Sequence, residues 1–437
     1  MSKEMQTNDI VLGKDYSSAK RWIAFFSIAL IYFFYCFNFM VGTFVKPTMI
    51  YSPAEGGFGF TLQQTEEIFA VMSFGTIPGT FIFGSIAARI QFSLKSLHWT
   101  KKKTLILVAL LIALTTFFPM LAPTSVLLWK AARFTCGVVL GGVFGTAMPL
   151  VADMFPTKYR GKLAATLTAL YSLAMIFGGK LYGALGDANW KLLMYTAIIP
   201  PIIGAVMTFI FVPDDSAIAK KQYAKGKESG EKISYLSMYK GKYLWIGLGT
   251  ILLSGANFTA YSAFSNNATT YLVTEIGMTA ATAGAIYSMQ GTGQLVGYII
   301  WGLISDKFGR KVPAIGMALS AVAVFIYTQL GGNDVVAFYM VSALLGFMVG
   351  YSGPWGAYYT ELFPEKYRAL SSGMSFNGGR IISTFAVPAI AGVASGAMGM
   401  TAIFYIAIGV FVAGTVVWFF LPETLNKNKK EKITTSK

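Results

Sequence analysis

Apolar and polar residues alternate in long blocks along this chain, and the apolar blocks are long enough to cross a lipid bilayer. A membrane-spanning helix needs about 20 consecutive, mainly apolar residues. Twelve blocks come close to this length, at residues 22–46, 66–88, 104–122, 126–152, 163–186, 192–212, 244–272, 281–304, 312–330, 335–359, 370–395 and 400–421. The pattern therefore predicts an all-α membrane protein with twelve transmembrane helices.

One short polar segment occurs twice. Residues 153–160 read DMFPTKYR and residues 361–368 read ELFPEKYR, so Phe, Pro, Lys, Tyr and Arg recur in one register and each copy begins with an acid. Each copy lies between two apolar blocks, and we interpret it as a turn between two membrane helices. A repeat of half the chain is typical of secondary transporters built from two related halves.

The repeat divides the chain into two pseudo-symmetric six-helix bundles joined by a Lys-rich linker. We expect a tail at 1–21, a bundle at 22–212, the linker at 213–243, a bundle at 244–421 and a second tail at 422–437. The first tail contains no apolar core, so we interpret it as a cytoplasmic tail rather than a signal peptide.

Lysine and arginine fall mainly in one set of the predicted loops. If both tails are cytoplasmic, 29 of the 35 Lys and Arg residues lie in cytoplasmic segments, as the positive-inside rule requires. We therefore expect a multi-pass protein of the cell membrane with both termini in the cytoplasm. The same distribution explains the net charge of +16 as topology and attraction to anionic lipid, so no nucleic-acid partner is expected.

Composition and residue types exclude several other classes of protein. With 55% hydrophobic and 12% charged residues, a soluble domain would lack the polar surface to cover itself. Cys36 and Cys136 fall inside predicted helices, and His98 falls in a predicted loop. We therefore expect no disulfide, metal site or cofactor. The sequence shows no nucleophile constellation and no phosphate-binding loop, so we do not expect an enzyme.

The segment GLISDKFGRK, from Gly302 to Lys311, follows the eighth predicted helix. Here the chain resembles the major facilitator superfamily, which carries a Gly-x-x-x-Asp-x-x-Gly-Arg-Lys pattern between the second and third helices of each half. With the twelve blocks and the repeated turns, the resemblance covers the whole chain. The ending Pro422-Glu423-Thr424 resembles that of the sugar-porter branch and the metabolite and organic-acid symporter branch.

The resemblance implies a cytoplasmic gate in which the loop acid pairs with basic residues and a helix N-terminus. In the first half Ala88 replaces that acid, and the Gly-Arg-Lys tail is absent. We therefore expect only the second half to keep a complete lock. The gate residues implied are Asp306, Arg310, Asp153, Arg160, Glu361 and Arg368.

Two arginines lie deep inside predicted helices, Arg133 in the fourth and Arg380 in the eleventh. A charge at mid-bilayer costs about 2.5–3.5 kcal/mol on insertion scales and marks a functional site by default. None of the 19 acids lies in the middle of a predicted helix, so a cavity containing these arginines should attract an anion. The arginine fork matches a carboxylate. For Arg133 a packing or coupling role stays open, because glycines follow it.

Polar and aromatic side chains recur at helical spacing on some faces of the predicted helices. Amides facing lipid would leave donors unsatisfied, so such faces should look towards protein or water. The substrate-binding residues predicted beside the two arginines are Tyr35, Asn38, Asn257, Tyr261, Gln290, Gln294, Tyr351, Trp355 and Asn377. For Tyr35 and Asn38, the alternative is aromatic packing with one helix-to-helix hydrogen bond.

These observations favour a secondary transporter, monomeric, that moves a small organic anion by alternating access as a symporter or an anion exchanger. The aromatic-acid branch of the resembled family carries acids in its first helix, where this chain has Asn38. Proton coupling through such a group is therefore not visible, whereas exchange would suit the resemblance to oxalate–formate antiporters. The alternatives are a transporter of a neutral sugar or polyol and, from another class, a transporter-like ligand sensor.

Overall fold

The computed structural model describes residues 12, 13, 15–88, 100–155, 157–216, 240–363, 368–394 and 399–425. Every regular element in these ranges is a helix, which confirms the all-α prediction. We use the term turn side for the membrane side on which the sequence predicts the two repeated turns, and far side for the opposite one.

The first half of the chain contributes six long helices. They are α1 (Ser18–Ile50), α2 (Leu62–Ala88), α3 (Lys101–Phe117), α4 (Val126–Met154), α5 (Thr157–Leu185) and α6 (Trp190–Phe211). The second half contributes α7 (Lys242–Ser265), α8 (Ala268–Thr274), α9 (Ala280–Phe308), α10 (Ala314–Thr328), α11 (Val335–Val349), α12 (Trp355–Glu361), α13 (Arg368–Ala394) and α14 (Gly399–Phe420). Each predicted apolar block corresponds to one helix or one broken pair of helices.

Two predicted helices are broken in the structure. The seventh block divides into α7 and α8 at Asn266 and Asn267. The tenth divides into α11 and α12 around a 3-10 turn at Gly350–Ser352, followed by Pro354. Proline lacks the N–H that would continue the helical ladder, so a break there is expected. Both breaks lie in helices that carry predicted substrate residues.

Within the described ranges, seven helical stretches are both long and apolar enough to span a membrane. The helices α7, α9 and α13 are not among them, because Gly, Ser, Asn and Gln lower their mean hydropathy. These are the helices that carry Asn257, Gln290, Gln294, Asn377 and Arg380. Polar side chains at membrane depth must face protein or water rather than lipid.

The chain forms two compact units that differ from the predicted bundles in two segments. One unit contains residues 1–41, 71–174 and 191–232, and the other contains 42–70, 175–190 and 233–437. The far-side ends of α1 and α5, with the start of α2, therefore pack into the unit that contains the second half of the chain.

In the first unit α2 and α4 approach through glycines. A Cβ atom at Gly79 would overlap the carbonyl oxygen of Val138, and one at Gly137 would overlap the carbonyl oxygen of Met72. Two backbones can pack this closely only where the facing residue of one helix lacks a side chain. The contact fixes α4 against α2 one turn after Arg133, so it also positions that arginine.

We expect Gly79→Ala to lower the melting temperature of the purified protein, because the methyl group must push α4 away from α2. The matched control is Gly409→Ala in α14, where the new Cβ would meet open space. Alanine is the better helix former, so the control should unfold at the same or a higher temperature. Equal melting temperatures for the two variants would contradict the close packing of α2 and α4.

Candidate substrate site and gate

Arg133 is buried in the first unit, with 1% of its surface exposed. It lies seven residues after the start of α4, about 10 Å along the helix from its far-side end, and so nearer that end than the expected mid-bilayer position. Its Nη1 lies 3.9 Å from the Met72 Sδ and 3.5 Å from the Asn38 carbonyl oxygen, and its Nη2 lies 4.0 Å from the Met194 Sδ. The guanidinium also sits 5.7 Å from the Trp129 ring.

These contacts neutralise little of the charge of Arg133. Thioether sulfur is a weak acceptor, and the only oxygen accepts at the limit of a hydrogen bond. Among the described residues, no carboxylate pairs with Arg133, and its Nε has no hydrogen-bond partner. The arrangement is a buried cation held in place by soft, apolar groups.

Asn38 is also buried in the first unit, but its amide is occupied. Its Nδ2 donates to the carbonyl oxygens of Phe34 and Ala197 at 2.9 and 3.2 Å, and its Oδ1 accepts from the Thr116 hydroxyl at 2.8 Å. Asn38 therefore ties α1 to α3 and α6, and only its backbone carbonyl faces Arg133. This geometry favours the packing alternative for Asn38.

Tyr35, one turn before Asn38, is half-buried. Its ring lies 5.2 Å from that of Tyr32 and 5.3 Å from that of Phe39. Aromatic pairs at these spacings stabilise helix packing. Tyr35 is therefore partly accessible, whereas Asn38 is not.

Arg380 lies in the second unit, twelve residues after the start of α13, which is about 18 Å along the helix. It is half-buried. Its guanidinium carbon sits 5.0 Å from the Phe258 ring and 5.8 Å from the Phe376 ring. Contacts with aromatic faces can hold a cation in place.

A close helix contact brings Arg380 to Phe258. A Cβ at Gly379 would collide with the backbone at Ser254 and Gly255, so α13 and α7 touch at this point. Asn377, on the preceding turn of α13, is half-buried and donates to the Gly373 carbonyl oxygen at 3.0 Å. That bond uses one of its two amide protons and leaves its amide oxygen for another partner.

Asn257 belongs to a buried polar and aromatic cluster between α7 and α12. The Tyr351 hydroxyl donates to its Oδ1 at 2.7 Å. The Tyr351 ring lies 5.8 Å from Trp355, which stacks on Tyr359 at 5.4 Å. Trp355 is 1% exposed, and within the described ranges its Nε1 has no hydrogen-bond partner. The Tyr351 hydroxyl and the Asn257 amide oxygen are thus bonded to each other, whereas the Trp355 indole N–H has no acceptor among the described residues.

The two glutamines of α9 are buried on one helix face. Gln290 Nε2 donates to the Ser265 hydroxyl at 2.6 Å, and Gln294 Nε2 donates to the Tyr298 hydroxyl at 2.9 Å. Gln294 Oε1 has no partner in the described part of the chain. Sequence reasoning missed Tyr298, although its spacing of one turn from Gln294 could have indicated it.

Tyr261 faces a different neighbour. Its half-buried hydroxyl lies 3.4 Å from the Met175 Sδ. Both residues belong to the second unit, so the structure places Tyr261 against the middle of α5. Sulfur is a weak acceptor, and a better acceptor could readily replace it.

The second-half gate residues Asp306, Arg310 and Glu361 form an ion-pair cluster in which Arg310 is nearly buried and Asp306 is exposed. Arg310 donates two hydrogen bonds to Glu361, from Nη2 to Oε1 at 2.7 Å and from Nε to Oε2 at 3.0 Å. Its Nη1 donates to Asp306. Thr424 donates to Glu361 Oε2 at 2.6 Å. The hydrogen bonds that Arg310 donates to Glu361, followed by the one it donates to Asp306, raise the pKa of Arg310 above its usual value against the effect of burial.

Glu423 completes this cluster, and sequence reasoning had used it only as a mark of the family branch. Its carboxylate accepts the backbone N–H groups of Arg310, Lys311, Thr424 and Leu425 at 2.8–3.1 Å. Burial alone would raise the pKa of the Glu423 carboxyl, but these N–H donors hold it below its usual value. Glu423 therefore joins the segment after α9 to the segment after α14.

The first half has its own ion pair despite Ala88. Lys101 Nζ bonds to Asp153 Oδ2 at 2.6 Å, and the Lys101 backbone N–H donates to Asp215 at 2.8 Å. These contacts correspond to those of Arg310 with Glu361 and Glu423. The side chains of Arg160 and Arg368 lie outside the described residues. Within the described ranges, no group of three or more His, Cys, Asp or Glu could hold a metal ion.

We expect Glu361→Gln to lower the melting temperature more than Asp306→Asn. The Glu361 side chain is 18% exposed and takes both prongs of Arg310, whereas the Asp306 side chain is 67% exposed. Bonds to charged groups contribute about 1.5–3 kcal/mol, but exposed ion pairs contribute about 0–1 kcal/mol. Thermal unfolding of the two variants measures the difference, and a larger loss for Asp306→Asn would contradict the assignment of Glu361 as the central partner.

Comparison with known proteins identifies the family. The model of the Major Facilitator Superfamily matches residues 28–274 and 250–436. The cis,cis-muconate transport protein of Acinetobacter baylyi is 29% identical over 309 residues, which are 67% of this chain and 71% of that protein. The glucose transporter GlcP of Staphylococcus epidermidis is 24% identical over 417 residues, 85% of this chain and 88% of that protein.

A solved structure supports the same assignment for the fold. The xylose transporter XylE from E. coli, in a partially occluded inward-open conformation, superimposes with a TM-score of 0.68 at 17% identity, over 93% of this chain and 99% of that chain. The resemblance drawn from the sequence motifs is thus confirmed across nearly the whole length. The chain belongs to the Major Facilitator Superfamily, and it is a multi-pass membrane transporter rather than an enzyme.

Proposed function

We propose that this protein is a secondary transporter that moves a small organic anion, a carboxylate, across the cell membrane by alternating access. The observation that carries the proposal is the environment of Arg133. Its guanidinium is fully buried, and its described partners are two thioethers, the Cys136 thiol, one carbonyl oxygen and one aromatic ring. Arginine stays charged in proteins, and a buried charge without a partner is costly. An anionic cargo supplies the missing partner.

Arg380 gives the second support. It lies near the middle of α13, beside the rings of Phe258 and Phe376. Each arginine belongs to a different half of the chain. A related protein is named for transport of muconate, which is a dicarboxylate.

The proposal includes the orientation and the coupling. We infer that both termini are cytoplasmic and that the turn side faces the cytoplasm, because the Lys and Arg residues concentrate there. The protein works as a monomer, either by symport or by exchange of one anion for another.

A neutral sugar is the second candidate, and two buried atoms favour it. Gln294 Oε1 and Trp355 Nε1 are an acceptor and a donor without partners among the described residues, which suits hydroxyl groups. A glucose transporter is among the similar proteins. Arg133 has no role in this alternative, which makes it the weaker of the two.

Uptake into proteoliposomes separates the two candidates. Purified protein is tested for counterflow of labelled muconate, benzoate, succinate and glucose under identical conditions. We expect counterflow of at least one carboxylate and none of glucose. Counterflow of glucose alone would replace the proposal with its alternative.

A further inference from the structure

Three polar side chains are buried together near the far side, outside the candidate substrate site. Lys46 from the last turns of α1, Glu66 from the first turns of α2 and Asn267 from the break between α7 and α8 are 0%, 1% and 0% exposed. All three belong to the second compact unit. Sequence reasoning had placed Lys46 and Glu66 at helix ends near solvent, but α1 continues to Ile50.

The three side chains form a closed triangle. Glu66 Oε1 accepts from Lys46 Nζ at 2.7 Å and from Asn267 Nδ2 at 2.7 Å, and Lys46 Nζ also donates to Asn267 Oδ1 at 2.9 Å. Lys46 further lies 4.8 Å from the centre of the Phe69 ring. Both groups of the Asn267 amide are therefore bonded to charged side chains, which makes these hydrogen bonds stronger than neutral ones.

The triangle joins segments that are far apart in the sequence. Lys46 and Glu66 come from the first half of the chain, and Asn267 comes from the second. A second bond runs beside it, from the Thr269 hydroxyl to the Thr43 carbonyl oxygen at 3.2 Å. The ion pair itself lies wholly within the first half, so Asn267 is the side chain that connects the pair to the second half.

We propose that Asn267 is a far-side latch, whose bonds to the Lys46–Glu66 pair break and re-form in each transport cycle. This inference rests on the proposed alternating access, in which the far-side ends of the two halves separate. Separation removes Asn267 but leaves Lys46 paired with Glu66, so no lone buried charge is created. Water can replace the amide at the pair. The amide can then release and return, whereas an ion pair across the two halves would cost far more to break.

Truncation of Asn267 isolates the latch from the helix that follows it. The Asn267 side chain makes no capping bond to α8, but its Nδ2 also donates to the Ala263 carbonyl oxygen in the last turn of α7 at 3.0 Å, so Asn267→Ala removes this bond together with those of the triangle. Each hydrogen bond to a charged group corresponds to about tenfold or more in an equilibrium. We expect Asn267→Ala to increase the ratio of far-side-open to far-side-closed protein at least tenfold.

The experiment measures a distance distribution between two spin labels. Ala54 and Asn333 are exposed positions on the far side, one in each half, and double electron–electron resonance between labels there reports opening in lipid nanodiscs. Asn266→Ala is the matched control, because Asn266 is adjacent and half-buried and lies outside the triangle. The control should keep the wild-type distribution. Asn267→Leu keeps a similar volume but can neither donate to Glu66 nor accept from Lys46, and it should also shift the distribution towards open.

An unchanged distribution in both Asn267 variants would overturn the latch. Should the alanine variant fail to fold, the leucine variant decides alone. Wild-type carboxylate counterflow tests the transport proposal separately. Counterflow with an unchanged distribution refutes only the latch, and a shifted distribution without any carboxylate counterflow refutes only the substrate assignment.

Discussion

Arg133→Met should abolish measurable carboxylate binding while leaving the melting temperature of the ligand-free protein equal or higher. Methionine fills nearly the same volume as arginine and suits the thioethers of Met72 and Met194 around it. Replacing a buried, poorly paired charge by an apolar group of similar size is often neutral or stabilising. The bonds lost to the anion are worth about 1.5–3 kcal/mol each, so two of them amount to about a hundredfold or more in affinity.

The two readouts separate a binding role from a structural one. If Arg133 only supports packing, Arg133→Met should lower the melting temperature. The carboxylate affinity of the molecules that remain folded should then equal that of the wild type. Lys130→Met is the control, because Lys130 is a half-buried cation one turn earlier on the same helix. Calorimetry on the control should give the wild-type affinity. A loss of ligand-free stability with retained carboxylate affinity would contradict the assignment of Arg133.

Arg380→Lys should weaken carboxylate binding about tenfold or more, and Arg380→Gln should weaken it further. Lysine keeps the charge but loses the planar fork that can bond both carboxylate oxygens. It also stacks less well than arginine between aromatic rings such as those of Phe258 and Phe376. One lost bond to a charged group is worth about 1.5–3 kcal/mol. Calorimetric titration of the three proteins with the same carboxylate measures the series.

A neutral analogue supplies the control for Arg380. An amide in place of the carboxylate should bind weakly to the wild type, and neither Arg380 variant should change that weak binding. A structural arginine would instead depress the binding of acid and amide alike. Equal losses for both ligands would therefore remove Arg380 from the substrate site.

The fold could be predicted largely from the sequence, because helix length and apolar character are local properties. Every predicted block corresponds to helix in the structure. The break at Asn267 was not predicted, since it depends on how the half-helices pack on their neighbours, whereas Pro354 indicates the break in the tenth helix. The extension of α1 to Ile50 was also missed, because Lys46 looked like the end of an apolar block. That error hid the buried pair of Lys46 with Glu66.

The candidate site was predictable only in part. Arg133 and Arg380 are visible in the sequence because a charge inside an apolar block is unusual. Their neighbours are not visible, since Met194 and Phe258 reach them through long-range packing. The replacement of the first-half loop acid by Ala88 suggested a missing lock, yet Lys101 and Asp153 form an ion pair there. A motif reports residue types, whereas an ion pair depends on which side chains the fold brings within reach.

The most direct test of the central claim is equilibrium binding of a carboxylate and its neutral amide to the wild-type protein. The carboxylate chosen is the one with the strongest counterflow, and calorimetry is run on both ligands and on glucose in the same detergent and buffer. If Arg133 and Arg380 bind the carboxylate, the acid should bind at least tenfold more tightly than its amide, and glucose should show no heat of binding. Equal affinities for acid and amide, or saturable binding of glucose alone, would contradict the account.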